Sequence, residues 1–193
     1  MLHLYRDGAI IILKTIQIIL EGCKRNESYS QEQLYRQFYP GLFSLCKQFF
    51  DDQHDILTAL NNGMLNVYKN IQQYDADKGE LFTWAYNITR NAALTHLRNK
   101  NNQKDTVELT TVTEFKQRES PFKHLEGKDI YFYLAKLPPS TRAICALYYV
   151  EGLLIKEISE QMLISEGTVK WHLSESRSKL KIIFTTNAFS SGE

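Results

Sequence analysis

Cysteine, proline, glycine and net charge are all scarce in this chain. Its 193 residues include three cysteines, four prolines and nine glycines, and the formal charge at neutral pH is +1. Cys23, Cys46 and Cys145 are far apart and odd in number. That excludes metal-ligand and redox spacings and fits small core residues in a reducing cytosol. With so little proline and glycine, and no long alternating run, nothing points to a sheet. The balanced charge gives no global signal for nucleic acid, so any such affinity must come from local distribution. The five histidines, His3, His54, His96, His124 and His172, are scattered. None has a ligand or triad spacing, so no catalytic residue, metal or cofactor is expected and the chain does not read as an enzyme. Asp75 and Asp77, near Glu80, lack the glycine and ligand spacing of a calcium loop and read as a solvated loop.

A long apolar run is also missing. Ile10–Leu13 and Ile16–Leu20 are broken by Lys14 and Gln17 and fall short of a bilayer core of about 30 Å. Asp7 precedes them and no small-residue cleavage site follows, so they predict a first helix packed on the rest rather than an anchor or signal peptide.

What is present is helical periodicity. Hydrophobic content of 43% and 12% aromatics suits one or two small globular domains. Leu34, Phe38, Leu42, Leu45 and Phe49 recur at helical intervals between Gln31 and Phe50, with Pro40 expected to kink or divide the helix. Asp51 and Asp52 make a break and cap. Ile56, Leu60, Met64, Val67 and Ile71 then line one face of a long helix. Gln72–Glu80 reads as a loop containing Gly79, and Leu81–Leu97 as a third helix with Ala85, Ile88 and Ala92 inward. Asn99–Lys128 is polar and aperiodic, includes Thr110-Thr111-Val112-Thr113, and reads as a linker.

A second helical block opens near Asp129. Pro138 and Pro139 end its first helix, Ser140 or Thr141 caps the next, Ile144, Leu147 and Tyr148 face inward, and Gly152 is the stop. After Phe184 the tail is small and polar and is expected to fray. The predicted fold is all-α: two small helical domains joined by a flexible linker, the second a helix-turn-helix domain. The boundaries are 1–100, linker 101–128, 129–185 and tail 186–193.

The helix-turn-helix spans Ile155–Leu173. Ile155, Ile158 and Met162 share one face of its first helix, Val169 and Leu173 one face of its second, and Ser165 is placed to cap the second. Its outer, polar and cation-bearing face carries Thr168, Lys170, Trp171, His172 and Glu175, with Arg177 just beyond, and is of the kind that enters a major groove. Such a pattern also occurs in helical proteins that never touch DNA. Arg177, Lys179 and Lys181 follow with no acid between them, which favours DNA.

The first block has its own cationic stretch. No acid occurs between Tyr86 and Lys104, and Lys78, Arg90, Arg98 and Lys100 lie on or beside a segment bearing Tyr74, Phe82, Trp84 and Tyr86. Cations beside flat apolar rings suit single-stranded nucleic acid. Phe82 reads as core, and Trp84 equally as core or as a stacking surface. A basic, aromatic helical module followed by a duplex reader suits a protein that holds one melted and one double-stranded segment.

These residues resemble the sigma factors of bacterial RNA polymerase, in the small extracytoplasmic-function (ECF) group. The resemblance rests on Leu34-Tyr35-Arg36-Gln37-Phe38-Tyr39-Pro40, Val67-Tyr68-Lys69-Asn70-Ile71, Phe82-Thr83-Trp84 and Arg90–Arg98 in the first block. In the second it rests on Leu137-Pro138-Pro139, Glu151-Gly152, Lys156-Glu157-Ile158 and Ser165–Lys170. It implies that residues 1–100 are like sigma region 2, docking on polymerase and recognising the −10 element, and that 129–185 are like region 4, reading the −35 element. It implies a −10 surface of Lys78, Thr83, Trp84, Asn87, Arg90, Asn91 and Arg98, where a base leaves the stack, and a −35 surface of Ser165, Glu166, Thr168, Lys170, Trp171, His172, Ser174, Arg177 and Lys179. It implies a polymerase-docking helix involving Asp55, Leu60, Asn61, Asn62, Met64, Val67 and Tyr68. The implied partners are core RNA polymerase (β′ clamp helices and β flap), promoter DNA and an anti-sigma factor, with no membrane insertion and a cytoplasmic location. Two positions depart from the family pattern. Thr58-Ala59-Leu60-Asn61-Asn62 stands where an acidic pair is common, with Asp55 one turn earlier as its substitute. Leu163 stands where glycine is usual, and the strain of a positive φ on leucine predicts a differently shaped turn. Two other readings are a stand-alone helix-turn-helix regulator and a degenerate sigma-like protein that titrates an anti-sigma factor.

Overall fold

The computed structural model describes the backbone of residues 15–102 and 127–190, and the side chains of 15–100 and 130–184. Most of the expected linker, residues 1–14 of the N-terminal apolar segment and the last three residues lie outside these. The described chain forms eight α-helices and no strand. They are α1 (residues 15–24), α2 (Ser28–Cys46), α3 (Gln53–Asn70), α4 (Leu81–Asn102), α5 (Gly127–Leu134), α6 (Pro139–Cys145), α7 (Ile155–Met162) and α8 (Glu166–Ser190). Among the described residues, no helix is long and apolar enough to cross a membrane.

The described residues cluster into two compact units. One holds the chain up to Cys46 together with Ile56–Ala93; the other holds Lys47–Asp55 together with everything from Leu94 onward. The second unit thus includes the α2–α3 turn and the end of α4.

In the first unit, α2 buries Leu34, Phe38, Leu42 and Leu45 along one stripe. Pro40 neither divides nor ends this helix. It sits on the exposed side, where the carbonyl its ring leaves unbonded can meet water. α3 begins where Asp52 Oδ1 accepts hydrogen bonds from the backbone N–H groups of His54 (2.9 Å) and Asp55 (3.1 Å), so Asp52 is its cap. Its Ile56, Leu60, Met64, Val67 and Ile71 are all buried, as their spacing requires. α3 and α4 cross at Gly63. A Cβ there would lie 2.6 Å from Thr89 Cγ2 and 2.8 Å from its Cα, so only glycine lets the backbones approach this closely.

That crossing rotates the inner face of α4 from the one expected. Leu81, Ala85, Thr89, Ala93 and Leu97 are buried at four-residue intervals, while Ile88 and Ala92 are only half-buried. A four-residue spacing drifts slowly around a 3.6-residue helix, so α4 wraps its contact stripe along its length.

In the second unit α6 and α7 both pack on α8. Pro138 is the cap of α6 and Pro139 its first helical residue, in place of a Ser140 or Thr141 cap. The chain passes from α6 through a π turn (Ala146–Val150), in which the Glu151 N–H donates to Ala146 O at 3.0 Å. Gly152 then stops it with φ of 74°. Ile144 and Leu147 are fully buried and Tyr148 half-buried. Arg142 is buried too. Its Nη2 donates to Leu137 O at 2.9 Å and pairs with Asp51 Oδ1 at 2.7 Å, tying α6 to the α2–α3 turn within this unit. α8 runs to Ser190, past Phe184.

The three cysteines are buried and unpaired. Burial pushes the Cys23 thiol up to about 11 and those of Cys46 and Cys145 up to about 12, leaving no thiolate at neutral pH.

Candidate nucleic-acid interface

The first cluster is built by the turn before α4. Residues expected as a plain loop form two short 3-10 turns, Ile71–Gln73 and Ala76–Lys78. Asp75 Oδ1 accepts the Asp77 N–H at 3.0 Å, and Lys78 Nζ pairs with the same carboxylate at 3.3 Å. The Asp77 N–H, first, and Lys78 hold the Asp75 pKa below its ordinary value. That carboxylate shapes the turn instead of gathering ligands, and among the described residues no group of His, Cys, Asp and Glu converges to hold a metal. Gly79, at φ 143°, reverses the chain, and the Tyr74 hydroxyl donates to its carbonyl at 2.9 Å. The Tyr74 ring lies 5.6 Å from the half-buried Trp84 ring. Phe82 is more exposed than a core residue, although it meets Phe38 edge-on at 5.2 Å.

Thr83, Trp84, Asn87, Arg90 and Asn91 share one side of α4, away from its buried stripe, at three- and four-residue spacing. Thr83, Asn87 and Asn91 are exposed, and Trp84 and Arg90 are half-buried. Lys78 projects beside them with its side chain largely in solvent. Arg98 keeps the same helical phase but lies beyond buried Leu94, in the second unit. Six of the seven residues are therefore brought together in the first unit. Tyr74 and Gly79 complete the site, and Tyr74 was legible only as one aromatic among several.

The second cluster is the helix-turn-helix. Ser165 Oγ accepts the Thr168 N–H at 3.0 Å and so caps α8, as expected. The Glu157 carboxylate accepts the Leu154 N–H at 2.7 Å at the start of α7. Leu163 takes the left-handed conformation, φ 51° and ψ 46°, with its side chain 69% exposed. The turn thus keeps the shape a glycine would give, against the expectation of a different one. Ser159, which the sequence pattern did not single out, holds it there. Its hydroxyl donates to Ile164 O at 2.7 Å, and its own carbonyl accepts the N–H groups of Leu163 and Ile164.

Val169, Leu173, Ser176 and Leu180 form the buried stripe of α8. Ser165 and Glu166 are exposed. Thr168, Lys170, Trp171, Ser174, Arg177 and Lys179 are half-buried. Lys170 pairs with Glu166 at 3.4 Å and Lys179 with Glu175 at 2.7 Å, so two of the cations are partly offset along the helix itself. His172 points differently from the rest. Its Nδ1 lies 2.9 Å from the buried Thr141 hydroxyl of α6, and burial lowers its pKa from 6.5 to about 4. It is neutral at pH 7 and stands behind the Trp171 ring, 4.8 Å away and nearly perpendicular.

The third cluster is α3. Leu60, Met64 and Val67 are core residues, while Asn61 and Asn62 are exposed. The Tyr68 hydroxyl donates to Gln31 O at 2.8 Å. Asp55 is only 8% exposed and is bound by Lys100 and by His96 (3.0 Å). Its pKa is lowered, by the Lys100 hydrogen bond first and then by His96. The carboxylate expected as a docking contact is directed into the protein.

Two aromatic-flanked, cation-bearing clusters in this order match two family models. Sigma-70 region 2 matches residues 34–103 and Sigma-70 region 4 matches 128–180, together well over half of the chain. The chain belongs to the sigma-70 family, in its ECF group. The ECF RNA polymerase sigma factor SigM of Bacillus subtilis is 26% identical over 156 residues, covering 79% of this chain and 94% of that protein. SigW of the same organism is 24% identical over 72% of this chain and 81% of its own length. Among solved structures, the sigma factor RpoE in complex with the anti-sigma factor NepR from Bartonella quintana aligns over 80% of this chain and 96% of that one, at 16% identity and a TM-score of 0.43. Membership of this group places the chain among factors of transcription initiation.

Proposed function

We propose that this sigma factor divides promoter recognition between two chemically different surfaces. Residues 1–100 and 129–185 are the functional domains, joined by 101–128, with 186–193 as a terminal extension. In the first domain, Lys78, Thr83, Trp84, Asn87, Arg90 and Asn91 take the −10 strand once it is unpaired, and Arg98 adds charge further along α4. In the second, Ser165, Glu166, Thr168, Lys170, Trp171, Ser174, Arg177 and Lys179 face the −35 duplex, with His172 supporting them from behind. The observation that carries this division is the acid-free side of α4 beside the Tyr74–Trp84 ring pair. Phosphates attract cations, and an unstacked base needs a flat apolar surface. Extruding a base costs a few kcal/mol, which stacking of roughly 1–3 kcal/mol per base helps to offset.

The chain works as a non-enzymatic, cytoplasmic specificity subunit without a cofactor, and is held in check by an anti-sigma factor. Run-off transcription with core polymerase, on promoters selected by this protein, tests the reading. A start-site-specific transcript is expected, and its absence sinks the proposal.

The outer side of α3, which presents Asn61 and Asn62 and no carboxylate, favours one second reading: a sigma-like protein that titrates an anti-sigma factor without engaging polymerase. Pull-down with core polymerase separates the two, since this reading requires no binding.

A further inference from the structure

α1 is apolar but not enclosed. Ile16, Ile18, Ile19 and Leu20 follow closely on this helix, and none of the four is buried. Ile16 and Leu20, about one turn apart, line an open groove of about 820 Å³ in the first unit. Phe38 of α2 lines it too, as do Tyr74, Gly79 and Phe82 from the turn before α4 and the first turn of α4. A cleft of this volume holds several side chains. Its edges are charged: Glu21 is paired with Lys24 at 3.0 Å, and Glu80 stands exposed next to Gly79.

The chain carries a segment that fits this groove. Residues 1–13 run directly into α1, and Asp7-Gly8 among them is a dipeptide that favours a tight chain reversal. After it, Ile12 continues the four-residue spacing of Ile16 and Leu20. Before it, Leu2 and Leu4 alternate with His3, and Tyr5 and Arg6 follow. Six extended residues at about 3.3 Å each span about 20 Å. Along a helix that rises about 1.5 Å per residue, Ile16 and Leu20 lie about 10 Å and about 16 Å beyond Ala9. A reversal at Asp7-Gly8 therefore returns Leu2 and Leu4 over the residues that line the groove. Arg6 carries charge opposite to that of Glu80.

We propose that residues 1–6 form an arm that folds back along α1 and seats Leu2 and Leu4 in this groove, against Ile16, Leu20, Phe38 and Phe82. The chain's own arm is favoured over a separate partner because a short tether holds it at the groove, at an effective concentration in about the millimolar range. Trp84 does not line the groove, so the seated arm reaches Tyr74 without covering the Tyr74–Trp84 ring pair. It braces the turn that carries Lys78 and Gly79, and a braced turn has less freedom to lose when it binds. The docking needs neither DNA nor polymerase, so it stands or falls separately from the promoter reading above.

The experiment is photo-crosslinking in the full-length chain, with p-benzoylphenylalanine replacing Gln37, an exposed residue of the groove lining, followed by peptide mapping. Crosslinks are expected to residues 1–6 of the same chain, at a yield independent of protein concentration. The same probe replacing Asn62, exposed on α3 and outside the groove, should capture none of them. Leu2→Ser/Leu4→Ser keeps the chain length and should lower the yield by about tenfold or more, as loss of two buried leucines does. Hydroxyl-radical footprinting needs no probe. It should show Phe82 more reactive in this variant than in the wild type, with Tyr29, exposed elsewhere on α2, unchanged. Crosslinks only between two chains, none to residues 1–6, equal capture from Asn62, or equal Phe82 reactivity in the two proteins would each overturn the proposal.

Discussion

The first turns of α4 and the first turns of α8 are both candidate DNA-contacting surfaces, yet they are built in opposite ways. On α4 the polar candidates Thr83, Asn87 and Asn91 are exposed, and no acid stands between Tyr86 and Lys104. On α8 Lys170 is paired with Glu166 and Lys179 with Glu175, and Trp171 is backed by His172. The first arrangement carries cations on a stretch of helix without acids and sets a pair of rings at its edge, which suits a flexible strand whose bases can stack. The second keeps its charge near neutral and its side chains braced, which suits a rigid duplex recognised by shape and by a few groove contacts. On the proposed division, affinity and base capture fall to α4, and register on the duplex to α8.

The largest expected effect tests this division directly. Trp84→Ala should slow promoter opening, followed by 2-aminopurine fluorescence at the −10 element, by about ten- to a hundredfold. It should leave −35 duplex binding by the holoenzyme unchanged. Trp171→Ala should do the reverse, and equal effects of both on opening would break the comparison.

Acid should find the second unit through His172. Its folded pKa, about 4, lies below the ordinary 6.5. The unfolded chain therefore takes up a proton that the folded one refuses. The stability gained from the neutral ring is complete above pH 6.5 and is lost as pH falls from 6.5 towards 4, a change of about 3 kcal/mol. Glu175 opposes this depression and Lys179 adds to it. Asp55 acts in a different window: its stabilisation is lost only as pH falls through its lowered pKa, below 3.8. Urea unfolding followed between pH 7 and 4.5 should show the slope in the wild type and a flatter one in His172→Gln. An unchanged slope in the variant would remove His172 from the account.

Two glycines sharpen the contrast at smaller scale. Gly63→Ala would drive a methyl group into Thr89 across the α3–α4 crossing and should cost about 1–3 kcal/mol in unfolding free energy. Gly167→Ala meets only Ser165 Oγ at 3.5 Å and should be neutral or stabilising by up to about 1 kcal/mol, because alanine favours the helix. Smallest is Leu163→Gly. It relieves a left-handed leucine and loses little packing, so the midpoint should rise by the equivalent of about 1 kcal/mol or less in chemical denaturation.

Much of this molecule was legible without coordinates because helical periodicity is a local property. The stripes Leu34–Leu45 and Ile56–Ile71, the Ser165 cap and the Gly152 stop all follow from spacing and residue type. The same local reasoning put Ile88 and Ala92 inside and left Thr89 out. It had no knowledge of the crossing at Gly63, which fixes the rotation of α4. The resemblance took Asp55 for a docking contact because it stands one turn before the place of the family's acidic pair. Local reasoning took His172 for a groove contact because its neighbours in sequence are outward-facing.

The sequence by itself determined the helices, their order, the two-module plan and the residue types available to meet nucleic acid, since each depends on neighbours three or four positions away. Only the tertiary structure decided which of those residues remain available. Lys100 and His96 occupy Asp55, Thr141 turns His172 inward, Ser159 holds Leu163 in a glycine-like turn, and Asn61 meets Tyr35. Those partners lie between 4 and 45 residues apart along the chain. Contacts at most of these separations exist only once the helices have packed.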